Sequence, residues 1–236
     1  MRRLDTRDRS AVAADTDREL RPLLDHAPPE TPVASRPDKP AKIDGRHLRS
    51  ERTRRLIVEA YMSLVRESPR MPTAAQIAER AGYSVRSIFE RFPDLHALRV
   101  AATDYAIAEG TALNPMPNVE TDRMTRIREQ AEARARGCEH WLPLWRSLNS
   151  SKEDSPELVK RITLIRQLIV RRIELLFQPE LALLSDADRR KIVLAIEALV
   201  DFESWARMRE LYGLSFEAAC TVWIRTIDRL LPTRPA

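Results

Sequence analysis

Apolar positions along this chain recur at intervals of three and four and rarely alternate, so the pattern predicts helices rather than strands. Leu56, Ile57, Ala60, Tyr61, Leu64 and Val65 share one face of a helix expected from about Arg49 to Glu67. Thr73 to Gln76 then reads as a capping box, opening a short helix that Gly82 ends at a turn. Ser84 can cap a second short helix, Val85 to Phe92, with Ile88 and Phe92 facing inward. So short a helix is marginal alone and must be held by packing. Asp94 caps the next, expected from Leu95 to about Glu109.

Gly110 through Val119 is rich in helix breakers and reads as a domain boundary. A helix from Thr121 to Gly137 is expected next, then Cys138 to Asn149, where Pro143 implies a break, a kink or a helix start. Ser155-Pro156-Glu157 supplies a cap, a proline suited to the first turn and an acidic residue near the positive helix end. Behind it run Leu158, Ile162, Ile165, Leu168, Ile169, Ile173 and Leu176. Ser185 or Asp186 is expected to start one long helix reaching about Leu211, stopped by Gly213. Ser215 opens the last helix, to about Leu231, with a stripe of Phe216, Ala219, Cys220, Trp223, Ile227 and Leu230. The first 45 residues carry six prolines from Pro22 to Pro40 and little periodic apolar content, which predicts a disordered or weakly ordered extension with room for a short helix at Ala11 to Leu24. The expected layout is all-α: a disordered or weakly ordered extension over 1–45, a three-helix domain of helix-turn-helix form with its linking helix over 46–110, and a second helical domain over 111–236.

Composition agrees with helices, since there are only 5 glycines against abundant Ala, Leu, Arg and Glu. The net charge of +5 permits nucleic-acid binding without requiring it, because affinity depends on a local basic face. No apolar run approaches the length of a membrane span, and the N-terminus lacks the apolar core of a secretory signal. Cys138 and Cys220 are far apart, as suits reduced thiols, so a cytoplasmic protein is expected. The glycines at 45, 82, 110, 137 and 213 form no phosphate loop or nucleophile elbow. His26, His47, His96 and His140 lack metal-site spacing, and adjacent Cys138, Glu139 and His140 would point different ways on a helix. No cofactor, metal or catalytic constellation is therefore expected. Trp141 and Trp145, one turn apart, suit either core packing or the wall of a ligand pocket.

The two short helices about Gly82 have the form of a helix-turn-helix, whose second helix would be offered to a DNA major groove. Tyr83, Ser84, Val85, Arg86 and Ser87 stand at its front end, where base-reading residues belong. Arg49, Arg52, Arg54 and Arg55 on the preceding helix could approach phosphates or simply form a solvated face. The order of an apolar-faced helix, T-x-x-x-I-A-x-x-A-G, aromatic-S and aromatic-x-x-F-x-D resembles the TetR family of bacterial transcriptional regulators. The likeness is close over Arg52 to Leu98 and extends elsewhere only to the helix plan. Ala78, Ala81, Gly82, Ser84, Ile88, Phe92 and Leu98 fall on family positions. Three positions depart from it: Phe89 stands at a usual tyrosine, Arg91 at a usual histidine, and Leu95, beside His96, at a usual lysine.

The resemblance implies a homodimeric, ligand-responsive repressor on a palindromic double-stranded DNA operator, with 46–110 as its DNA-binding domain and 111–236 as its helical regulatory, ligand-binding and dimerisation domain. Its DNA contacts would come from Arg49, Arg52, Thr73, Tyr83, Ser84, Val85, Arg86, Ser87, Phe89, Arg91 and His96. A small-molecule effector would meet Met124, Arg128, Trp141, Trp145, Ile165, Phe202 and Trp205. The dimer's four-helix bundle would use Ile192, Ile196, Leu199, Phe216, Ala219, Trp223 and Ile227. Two other readings stand beside it: a ligand-binding or enzymatic protein of the same fold that has lost DNA binding, and a protein–protein adaptor.

Overall fold

The computed structural model describes residues 45–68, 70–115, 118–150 and 155–233, all helices and connections. The expected N-terminal extension, with its short helix at Ala11 to Leu24, lies outside the described residues. The described chain belongs to one compact unit. Its helices are α1 (Gly45–Glu67), α2 (Ala74–Ala81), α3 (Val85–Arg91), α4 (Leu95–Leu113), α5 (Arg123–Asn149), α6 (Pro156–Leu176), the single turn α7 (Gln178–Leu181), α8 (Asp186–Leu199), α9 (Phe202–Ala206) and α10 (Phe216–Leu230). Among the described residues there is no strand, and no helix is long and apolar enough to cross a membrane.

The N-terminal head is α1, α2 and α3. Ile57 and Tyr61 of α1, Ile77 of α2, Ile88 of α3 and Phe92 meet in one fully buried cluster, which Leu98 of α4 completes. Burial of each such side chain is worth roughly 1.5–3 kcal/mol, enough to hold helices too short to persist alone. Their ends are fixed locally. Thr73 accepts from the Gln76 N–H while the Gln76 side chain returns to the Thr73 backbone. Gly82, at φ 73° and ψ 30°, turns the chain left-handed, so that its N–H reaches Glu79 and the Tyr83 N–H reaches Ala78. Ser84 then caps α3 through the Ser87 N–H, and Asp94 caps α4 through that of Ala97. Arg80 grips Glu67 with two nitrogens, at 2.6 and 2.7 Å, fastening α2 to α1. That grip pulls the Glu67 carboxyl below its ordinary pKa.

α4 runs from the head into the helical body, continuing through Gly110 to Leu113, so the expected boundary at 110–111 falls inside it. In the body α5 packs on α4, α6, α9 and α10, and α6 packs on α8. Two expectations change. α5 is a single helix through Pro143, which removes only the donor for the Glu139 carbonyl while Leu144, Trp145 and Leu148 stay buried in the core. The expected long helix from 186 to 211 is interrupted instead. α8 stops at Leu199, Asp201 caps α9 through the Glu203 N–H, and a π turn over Arg207–Leu211 leads to Gly213 at φ 62°. The Val200 carbonyl left by this break accepts from Arg134 Nε at 2.9 Å.

In the first turn of α5, the Arg126 guanidinium is buried against the Glu180 carboxylate of α7 and also donates to the carbonyls of Val119 and Thr121. The loop after α4 is thereby tied into the body.

The stripe on α8 and α10 expected to face a partner chain is largely this chain's own core. Ile196, Ala219, Trp223 and Ile227 are completely buried within this chain, while Ile192, Leu199 and Phe216 are partly exposed. The deepest packing is aromatic: Trp205 lies 4.8 Å from Trp223 and 5.5 Å from Phe216, ring centre to ring centre.

Candidate nucleic-acid interface and ligand cleft

α3 is fixed from behind and open in front. At its N-terminal side Thr53 Oγ1 lies 3.4 Å from the Tyr83 hydroxyl, and at its C-terminal end Arg54 donates to the Arg91 carbonyl at 2.9 Å while stacking 4.3 Å over Phe92. These contacts set the first half of α1 against both ends of α3. They also give Arg54 a positioning task that the sequence did not reveal, and Arg55 is occupied by Glu59 at 2.8 Å. Arg49 and Arg52 remain exposed on the same half of α1.

The outer face of α3 presents Val85 and Phe89, 40% and 46% exposed, one turn apart. Beside them the Arg86 side chain is 88% exposed and lies 3.0 Å from Glu90. Arg91 is one-third exposed and lies 3.9 Å from Glu90. This is a surface of two apolar groups and long cations carried on a helix able to enter a groove. Other expected contact residues have local tasks. The hydroxyls of Thr73 and Ser84 are engaged as caps, Ser87 lies 3.0 Å from Ser84, and Tyr83 is half-buried against Thr53. His96 Nε2 lies 3.3 Å from Ser155 Oγ and 3.7 Å from Glu157, which joins the start of α4 to the N-terminus of α6.

A partly open cleft of about 740 Å³ lies in the helical body, walled by α4, α5 and α6 with Phe202. Its surface is mostly apolar, as small-molecule sites are. Of the seven residues expected to hold a ligand, Trp141, Trp145, Ile165 and Phe202 line it. Trp145 stacks on Phe202 at 4.7 Å, and the Arg134 guanidinium lies 4.3 Å over the same Phe202 ring. Met124, Arg128 and Trp205 do not line it. Met124 and Arg128 are exposed near the start of α5, whereas Trp205 is buried in the aromatic core with its Nε1 donating to Glu139 at 3.2 Å.

Residues that sequence reasoning passed over supply the polar part of the wall: Gln130, Arg134, His140 and Arg172. Arg172 donates to Gln130 Oε1 at 2.7 Å and to the Asn114 carbonyl and side-chain oxygen at 2.9 Å each. Burial pushes its pKa down from the ordinary guanidinium value. Burial, then the nearby Arg66, lowers that of His140, against the pull of Glu109. A signal existed for these residues. Once α5 is one helix, Gln130, Arg134, Gly137, Trp141, Trp145 and Leu148 fall on one stripe; dividing the chain at Gly137 had hidden it. Among the described residues no group of His, Cys, Asp or Glu could hold a metal ion.

Solved structures give the comparison. A regulator from Streptomyces coelicolor, described as of the TetR family, superposes with a TM-score of 0.62 at 15% identity over 76% of this chain and 80% of its own. The TetR fold is the fold of this chain. A second structure, a putative TetR-family regulator from Rhodococcus sp., superposes with a TM-score of 0.62 at 18% identity over 77% of this chain and all of its own. The multidrug binding protein EbrR, complexed with imidazole, has a TM-score of 0.53 at 16% identity over 78% of this chain and 96% of its own. No protein-family model and no curated protein matches the sequence. In this TetR arrangement α1 to α3 form the helix-turn-helix and the helices beyond α4 the body.

Proposed function

We propose that this chain is a cytoplasmic transcriptional repressor that binds a palindromic operator as a homodimer and releases it when a small molecule enters the cleft. The exposed, doubly braced α3 carries the reading. A helix held at both ends, with Val85, Arg86 and Phe89 outward, is preorganised to enter a major groove. Arg86 is suited to a guanine edge, and Val85 with Phe89 to thymine methyl groups. Arg52, Arg49 and Arg91 would meet phosphates, with Arg91 standing in for the hydroxyl that Phe89 lacks.

With Ile196, Ala219, Trp223 and Ile227 occupied internally, the dimer contact falls to the outer sides of α8 and α10. Ala195, Ala198, Ala218 and Val222 are exposed there, with the partly exposed Ile192 and Leu199. Two-fold pairing would set the reading helices about 34–36 Å apart, one turn of DNA. An effector acts through its differential affinity for dimers with and without that spacing.

The test is fluorescence anisotropy with DNA from upstream of the protein's own coding sequence. Saturable binding that survives excess unrelated DNA, with one dimer per site by light scattering, is the expected result. Binding that unrelated DNA competes away equally would refute specific repression.

A further inference from the structure

The electrostatics of the cleft are one-sided. Among the described residues that line it are four arginines (Arg134, Arg136, Arg171 and Arg172) and His140, but no aspartate or glutamate. The two outer cations are spoken for. Arg136 lies 3.7 Å from Glu132 and Arg171 3.8 Å from Glu174, each on its own helix and largely in water. Arg134 and Arg172 are half-buried. Arg172 is held in place by neutral oxygens of Gln130 and Asn114. Arg134 spends Nε on the Val200 carbonyl and its flat face on Phe202, while its Nη2 is buried with no hydrogen-bond partner. The acid whose charge Arg134 acts on, Glu197, is outside the lining, and burial raises its own pKa. A lining that carries cations and no acid beside an apolar wall is complementary to an oxyanion whose remaining body is apolar.

We propose that the cleft takes an amphipathic organic carboxylate, its head on Arg134 and Arg172 and its apolar body against Trp141, Trp145, Ile165 and Leu168. The proposal rests on reading the cleft as the effector site. It concerns ligand binding alone, so it is measured without DNA and stands or falls separately from operator recognition. A basic amphiphile is disfavoured by the same geometry, because it would bring a further cation to a site with no acid in its lining.

The experiment uses the full chain and three probes of one chain length (decanoate, decylamine and decanol), each below its aggregation threshold, followed by tryptophan fluorescence and calorimetry. Decanoate should bind at least tenfold more tightly than decanol, and decylamine more weakly than either. Arg134→Met should cost decanoate at least tenfold and leave decanol nearly unchanged, whereas Arg134→Lys should retain part of the preference. If Arg134→Met does not fold, the ranking of the three probes on the natural chain decides the matter. Decylamine binding as tightly as decanoate, or no probe binding at all, overturns the proposal.

Discussion

Replacing Arg126 with methionine should destabilise the protein far more than loss of an ordinary ion pair. The Arg126 and Glu180 side chains are 6% and 8% exposed, so neither charge has water to fall back on. Glu180 Oε2 already lacks a partner, and with the arginine gone both oxygens of a buried carboxylate would be unmatched. The carbonyls of Val119 and Thr121 would also lose a donor, but this loop borders solvent and hydration recovers most of that loss. Breaking a buried pair from one side costs roughly 3–5 kcal/mol, most of it the stranded charge. For a chain of this size the melting temperature should drop on the order of 6–20 °C. Removing both charges, as Arg126→Met with Glu180→Leu, should recover most of the loss, since a buried pair is worth little against a well-packed apolar substitute. Urea denaturation of the four proteins at one concentration gives the coupling energy, expected at about 3 kcal/mol or more. A single-mutant cost below about 1 kcal/mol, or a cycle without coupling, would refute the argument from burial.

Further predictions concern the reading head and the thiols. Arg86→Ala should weaken specific DNA binding by roughly 1–3 kcal/mol and relax preference at one base pair, whereas Arg91→Ala should weaken all sequences alike and flatten the salt dependence. Titrations of cognate and scrambled duplexes at several salt concentrations separate the two, and an unchanged operator preference removes Arg86 from the reading surface. Gly82→Ala should cost about 1–2 kcal/mol in urea denaturation, from backbone strain alone, because an added Cβ meets nothing within 4 Å. Gly82→Asn should cost less, and equal costs would point away from the left-handed turn. Burial raises the Cys138 pKa to about 11. At pH 8 only about one Cys138 thiol in a thousand is then ionised, so a disulfide reagent should label it far more slowly in the native protein than in urea. Rapid native labelling at Cys138 would contradict its burial.

What the sequence disclosed was what neighbouring residues decide between themselves. Thr73, Ser84, Asp94, Ser155, Ser185 and Ser215 all cap the helices assigned to them, because a cap is settled within four residues. The head was legible for the same reason: its turn glycine and short helices leave the chain few alternatives. The body was harder. Pro143 removes one hydrogen bond, a small loss for a helix whose neighbouring turns are buried, so a local breaker gave way to packing. The interruption after Leu199 did have a local sign, the capping Asp201, masked by apolar periodicity on both sides. The α10 stripe shows a different limit. A row such as Ala219, Trp223 and Ile227 says that a face is covered, and only the fold says that α5 covers it. Half of the cleft was legible through its aromatics, but the cations were not, since an arginine on a charged helix looks the same whether it faces water or a cavity.

The reach of α4 gives a sense of scale. One end holds Leu98 in the core of the head, and the other contributes Gly110 and Leu113 to the wall of the cleft. Its 19 residues make a rod about 28 Å long. A pivot of about 5° at the cleft would sweep the head through an arc of roughly 2.5 Å, and in a two-fold pair the displacement doubles along the line joining the heads. That is a sizeable slip against the fixed pitch of a duplex, produced by a tilt small enough for side chains at the cleft to absorb by changing rotamer.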